Sequence, residues 1–237
     1  YNAPDYEVVL DEGCGLAVEN TMISHSPEVK EKLEQLGIPV LVERSSYEES
    51  PLGRVEWIKL YGLLTGHLDE AEQFFRKSVQ QVQAVEQERG NDETERPTVV
   101  FFYFTASGYA NVRTPNDYIS QMIELAGGSY AFSAGELGDQ GSRSTVNMDP
   151  EQFYAAAKDA DILIYNSTVE GALPSLDALL EKSPLLENCR AVSTGNVFCT
   201  GQNMFQQVSG TAEMISDLHA VISGDTEQPL TFLYRLQ

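Results

Sequence analysis

Seven side chains in this 237-residue chain are suited to holding a ligand, and no recognisable group is suited to breaking a bond. Arg44 and Tyr47 follow one expected strand, and Tyr103, Tyr109 and Arg113 sit at or after the end of another. Arg143 lies in a loop before Pro150, and Trp57 is the single tryptophan. A guanidinium donates two parallel hydrogen bonds, which suits a carboxylate, a phosphate or an anionic metal chelate. Tyrosine and tryptophan add flat faces for a bulky or planar molecule. In open α/β sheets ligands gather beyond the carboxyl ends of strands, so the set points to one ligand region. The competing reading of each arginine is an ion pair with one of the 36 acidic side chains.

Catalytic signatures are missing. The chain has no GxxxxGKS/T, no GxSxG and no HExxH. Gly13-Cys14-Gly15 lacks the third glycine of a dinucleotide loop and reads as a turn. His25, His67 and His219 are scattered, where a transition-metal site needs imidazoles that converge. Neither a catalytic residue, a metal site nor a cofactor is read from the sequence. Cys14, Cys189 and Cys199 allow at most one internal disulfide, and a hairpin over CRAVSTGNVFC could bring Cys189 near Cys199.

The charge narrows the partners further. Thirty-six acidic against 15 basic side chains give a net −21, which repels nucleic acid and anionic lipid alike. No run of apolar residues is long enough to span a bilayer as a helix. Membrane association would need a lipid anchor that these residues do not contain.

The element that must position the seven residues is a long helix from His67 to about Glu88. Leu68, Ala71, Phe75, Val79, Val82 and Val85 recur at spacings of three and four, with Phe74 beside them. Asp69, Glu70 and Glu72 favour its positive end. Before it, Tyr6–Leu10 reads as a buried strand, Pro27 onward as a helix closed by Gly37, and Ile38–Val42 as a strand in a parallel crossover. A helix near Val55 is expected to bury Ile58, Leu60 and Leu63. After the polar connector 90–97, TVVFFYF (98–104) is apolar on both faces, as a central parallel strand is. Helices from about 115 to 126, 150 to 158, 174 to 182 and 209 to 222 follow, with a strand at 161–165 and a hairpin at 191–199. Residues 105–114 and most of 129–148 read as loop. The fold class is therefore α/β: two doubly wound lobes joined by a spine helix, with a partial lobe at 1–66, the spine at 67–90 and a second lobe at 91–237.

Several stretches together resemble one family: the substrate-binding proteins of ABC importers whose lobes are joined by a rigid helix, serving ferric siderophores, haem and cobalamin. LEQLGIPVLVE, with the helix that follows, is similar to the end of that family's N-terminal lobe. RPTVVFFYF, DYISQMIELAGG and EQFYAAAKDADILIYN resemble its C-terminal lobe, and LLENCRAVSTGNVFCT its late hairpin. The resemblance implies a binding protein rather than an enzyme, located outside the cytoplasm, free in a periplasm or carried as a lipoprotein. It implies capture of a ferric siderophore or similar iron chelate and delivery to ABC permease subunits, with haem or cobalamin as alternatives. The permease-docking acid maps to Glu151, with Asp149 as its neighbour. Against that family's pattern the N-terminal lobe is expected to be incomplete in this chain. Two other readings remain: an enzyme on a doubly wound scaffold, which would need a nucleophile, base or cofactor loop, and a transition-metal-ion binder of the related rigid-helix group, which would need clustered histidines.

Overall fold

The computed structural model describes residues 4–89, 96–137, 143–201, 204, 207–226 and 229–237. Most of the polar connector lies outside them. The chain forms two compact units, Tyr1–Glu48 and Glu49–Gln237. Residues 49–66, grouped by sequence with the first lobe, belong to the second unit together with the long helix.

In the first unit, Tyr6–Asp11 is a helix, α1, not the expected buried strand. The Asp5 carboxylate accepts from the backbone N–H groups of Glu7 and Val8, both at 3.2 Å, and so caps it. Five residues, four of them apolar, carry too little periodicity to separate strand from helix, and the cap decides. Val8 and Leu10 stay exposed. A parallel pair does exist, but it joins β1 (Ala17–Asn20) to β2 (Val40–Glu43). The crossover runs through α2 (Pro27–Gln35), which starts at a proline and is followed by Gly37 at φ +82°. Ala17, Val40 and Val42 pack against Ile23, Val29, Leu33 and Ile38.

The second unit opens with α3 (Pro51–Glu56), α4 (Ile58–Thr65) and the spine helix α5 (Leu68–Arg89). Leu63 is 63% exposed, against expectation, and Ile58 and Leu60 are only half-buried. The buried seam runs instead through Val55 and Gly62. Gly62 is invisible to apolar patterning because its contribution is the absence of a side chain.

The remaining elements in chain order are β3 (Thr98–Phe104), β4 (Ala110–Arg113), α6 (Tyr118–Leu125), β5 (Ser129–Tyr130), α7 (Ala134–Leu137) and β6 (Thr145–Met148). Then come α8 (Pro150–Ala157), β7 (Ile162–Tyr165), α9 (Ser167–Glu170), α10 (Leu176–Lys182) and α11 (Arg190–Ser193). The last are β8 (Val197–Thr200), α12 (Thr211–Ser223) and β9 (Leu233–Arg235). The sheet runs β6-β4-β3-β7-β8-β9, with β5 also paired to β3. Only β4 and β9 run against the others, so the sheet is mixed rather than purely parallel.

Four sequence readings change here. Residues 110–113 form a strand that turns back on β3, because Gly108 at φ +84° closes a tight turn after Thr105. β5 and β6 lie within the stretch read as loop. Residues 191–199 are a helical turn followed by β8, not a hairpin, and Cys189 and Cys199 remain buried free thiols. β9 was not expected, and it pairs antiparallel with β8.

β3 divides the core. Val100, Phe102 and Phe104 face one layer with Phe153 of α8, Leu179 of α10 and Ala191 of α11. Val99 and Phe101 face the other with Val82 and Val85 of α5, Ile123 of α6 and Ile215 of α12. Helices thus cover both faces of the sheet, and the spine is a structural part of the second unit. At the junction of α4 and α5, a Cβ on Gly62 would lie 2.6 Å from Ala71 Cβ and 2.8 Å from the His67 carbonyl oxygen. Gly62→Ala should therefore force the two helices apart and lower stability by about 1–3 kcal/mol. Urea unfolding measures this, and an unchanged midpoint would show that the α4–α5 contact yields freely.

Candidate functional site

Strands β3 and β7 are neighbours in the sheet, yet the chain leaves them in opposite directions. From β3 it turns to β4 on one side, and from β7 it crosses to β8 on the other. In open α/β sheets, diverging connections mark the place where a ligand crevice lies, outside the carboxyl ends of the two strands. Tyr103 lies one residue before the end of β3, half-buried and opposite Asn111. Tyr109 stands on the β3–β4 turn with 44% exposure, its backbone N–H donating to Thr105 Oγ1 at 3.1 Å.

The floor of this crevice is built by residues that sequence reasoning passed over. The Asn166 backbone N–H donates to the Phe102 carbonyl at 2.7 Å, tying the exit of β7 to β3. The Ser167 N–H donates to Thr200 Oγ1 at 2.9 Å, and the Ser167 hydroxyl donates to the Thr200 carbonyl, tying the same exit to β8. All three residues are buried. Burial also pushes the neighbouring Tyr165 hydroxyl up to about 12, so it stays protonated at neutral pH. The signal for these residues was present: Asn-Ser-Thr directly after the apolar run 162–165 is both a helix-cap pattern and the carboxyl end of a strand.

Arg113 and Arg143 are not brought to this crevice. Because β4 runs back along β3, Arg113 sits level with Phe101, at the far end of the β4–β6 ladder. Its guanidinium carbon is 6.0 Å from the Phe101 ring centre, and its Nη1 lies 3.6 Å from the buried Asp117 carboxylate. Burial raises the Asp117 pKa, Arg113 opposes that rise, and Asp117 also caps α6 through the Ile119 N–H. The Tyr130 hydroxyl donates to the Arg113 carbonyl and accepts from its N–H, both at 2.9 Å. Arg143 is exposed beside the same end, where its carbonyl accepts from the Thr114 hydroxyl. Trp57 is half-buried at the break between α3 and α4. In the first unit, Arg44 lies with its guanidinium carbon 5.4 Å from the centre of the Tyr47 ring, which is 63% exposed.

Glu151 is exposed in the first turn of α8. It follows β6, whose last residue Met148 is opposite Ala110, so it lies at the same end of the sheet as the carboxyl end of β3. Asp149 beside it makes no side-chain cap bond and is also exposed. His67 contacts Thr65, and His219 donates from Nδ1 to the Ala126 carbonyl, far apart along the chain. Among the described residues no group of three His, Cys, Asp or Glu side chains is placed to hold a metal ion, and no helix is long and apolar enough to cross a membrane.

The model of one protein family, periplasmic binding protein, matches residues 18–204. An uncharacterized lipoprotein of Methanocaldococcus jannaschii is 28% identical over 193 residues, which are 81% of this chain and 44% of the relative. The chain thus spans less than half the length of that relative. The periplasmic haem-binding protein HutB of Vibrio cholerae superposes with a TM-score of 0.71 at 18% identity, covering 92% of this chain and 81% of that one. A possible iron-binding periplasmic solute-binding protein of Staphylococcus epidermidis superposes at 0.69 and 14%, covering 93% and 80%. At such identities the superpositions speak for the fold.

The location of Arg113 separates two roles for it. Removing it deprives the buried Asp117 of its nearest cation, leaving the Ile119 N–H and the more remote Arg54, so Arg113→Ala should destabilise the protein by roughly 3 kcal/mol. Tyr109→Ala, at an exposed turn, should leave the unfolding midpoint within about 0.5 kcal/mol of the native value. Chemical denaturation of both variants checks the contrast; equal stabilities would return Arg113 to the ligand-facing set.

Proposed function

The chain belongs to the periplasmic binding protein family, a family of extracytoplasmic binding proteins rather than enzymes, and from that premise we propose that it captures a ferric siderophore or similar iron chelate for delivery to an ABC importer. The observation that carries this reading is the arrangement at the carboxyl ends of β3 and β7: two tyrosines stand beside a hydrogen-bonded floor, with exposed acids at the same end of the sheet. Tyr103 and Tyr109 give a bulky chelate flat surfaces to rest on. The bonds of Asn166 to Phe102 and of Ser167 to Thr200 fix the floor before the ligand arrives, which lowers the ordering cost of binding. In this reading Glu151, with Asp149 beside it, contacts the permease subunits. A second reading, haem as the ligand, is favoured by Tyr103 and Tyr109, because a phenolate oxygen is an axial ligand for ferric haem.

The reading is tested on the whole protein with Trp57 as the reporter. It is titrated with a ferric hydroxamate, a ferric catecholate, haem and cobalamin, with free tryptophan as the control for trivial quenching. Saturable quenching at micromolar or lower concentration by a ferric hydroxamate or catecholate is expected. Saturation by haem alone would establish the second reading instead. If none of the four saturates, confirmed by equilibrium dialysis with the same ligands, the iron-chelate function is wrong.

A further inference from the structure

Asn166 is fully buried, and among the described residues its side-chain nitrogen has no hydrogen-bond partner. The orientation of this amide is fixed by its oxygen. Oδ1 accepts from the Thr168 backbone N–H at 3.1 Å and from the Thr168 hydroxyl at 2.6 Å. A backbone N–H can only donate, so the oxygen must face it and the NH2 group must point away from α9. Two N–H donors are thus left at the exit of β7, next to the strand β3 to which Asn166 is tied through its backbone.

A buried amide without a protein partner is costly, and in native proteins such groups meet an ordered water, an ion or a bound ligand. Its surroundings rule out a strand-pairing role. Most neighbouring donors are spent: the Asn166 N–H on Phe102, the Ser167 N–H and hydroxyl on Thr200, and the Thr168 N–H and hydroxyl on Asn166 itself. Among the described residues, the Asn166 NH2 and the adjacent Tyr165 hydroxyl, buried without a partner as well, are what this floor has left to offer.

Resting on the binding function proposed above, we infer that Asn166 is a specificity-determining residue whose side-chain NH2 donates to an acceptor oxygen on the bound ligand. The ligand class is one that presents a carbonyl, hydroxamate or carboxylate oxygen to the carboxyl ends of β3 and β7. A ligand that meets this floor with hydrocarbon alone leaves both donors unpaired and is discriminated against.

The two ends of the Asn166 side chain allow a clean test. Asn166→Asp keeps an oxygen for the Thr168 N–H, and a carboxylate at a helix start is favourable, so the cap survives. The same change replaces the donor by an acceptor bearing negative charge. Asn166→Ala removes both functions. Each variant is titrated with whichever of the ferric hydroxamate, ferric catecholate or haem saturates the unaltered protein, and its unfolding midpoint is measured alongside. Asn166→Asp is expected to fold with a lowered midpoint, because it buries a carboxylate, and to lose roughly 10- to 100-fold in affinity. Native affinity in Asn166→Asp, with the unaltered protein still binding, would overturn the role of Asn166 while leaving the proposed function standing. A loss of affinity in Asn166→Ala together with native affinity in Asn166→Asp would assign the residue to capping alone. Absence of binding by the unaltered protein is failure of the proposed function itself, and it takes this inference down with it.

Discussion

The second unit depends on the double-sided burial of β3. Val99, Val100, Phe101 and Phe102 are all essentially inaccessible, and successive side chains of a strand point to opposite faces. Both faces must therefore be covered, and only helices arriving on both sides of the sheet can do it. The chain obliges with α5, α6 and α12 on one face and α8, α10 and α11 on the other. The connections of β3 and β7 diverge because β3 turns back into β4 through the Gly108 hairpin while β7 crosses over to β8.

The spine helix is held to this core at its far end by charge as well as by packing. α6 ends in carbonyls that no helical N–H can reach, and three cationic or polar side chains converge on them. Arg89, from the last turn of α5, donates to the Glu124 carbonyl at 2.6 Å. Arg96 donates to the same carbonyl at 3.0 Å and pairs with the Glu124 carboxylate at 2.7 Å. His219 of α12 donates to the Ala126 carbonyl at 2.9 Å. These groups line a cavity of about 240 Å³. Its cations face the negative end of a helix dipole and are engaged with those carbonyls, so its polarity is explained by helix capping without a ligand.

How legible this was in the sequence varies with the kind of signal. The spine and β3 were plain, since 22 residues of helical period and seven of unbroken apolar character leave little competition. The lines that misled were short. Tyr6–Leu10 has no period, and one capping aspartate turned it into a helix. Ala110–Arg113 looked like loop because its neighbours Gly108, Thr114 and Pro115 are turn residues, yet the turn they signalled was a hairpin. That single hairpin changed the site: it carried Tyr109 to the carboxyl end of β3 and Arg113 away from it. Reading arginines as ligand groups also assumed that loop position implies exposure, whereas Arg113 is bound to Asp117 across one turn of chain. Asn166 was missed because an unspent donor is defined by what surrounds it, and no spacing reports that.

With Arg113 engaged by Asp117 and Arg143 at the other end of the β4–β6 ladder, the described groups that flank and floor the crevice of the second unit are neutral. They are the phenols of Tyr103 and Tyr109, the Asn166 amide and the hydroxyls of Ser167 and Thr200, with the exposed acids Asp149 and Glu151 at the same end of the sheet. A highly charged anion brought to such a floor would give up its hydration for neutral dipoles, on a chain whose net charge is −21. A chelate whose ligand oxygens have already neutralised the metal pays no such penalty, and it still presents acceptor oxygens at its surface. Within the function proposed for this protein, the selective force at this crevice is therefore shape and hydrogen-bond polarity rather than charge attraction. That is the regime in which one misplaced donor, rather than one lost cation, separates a ligand from its near relatives.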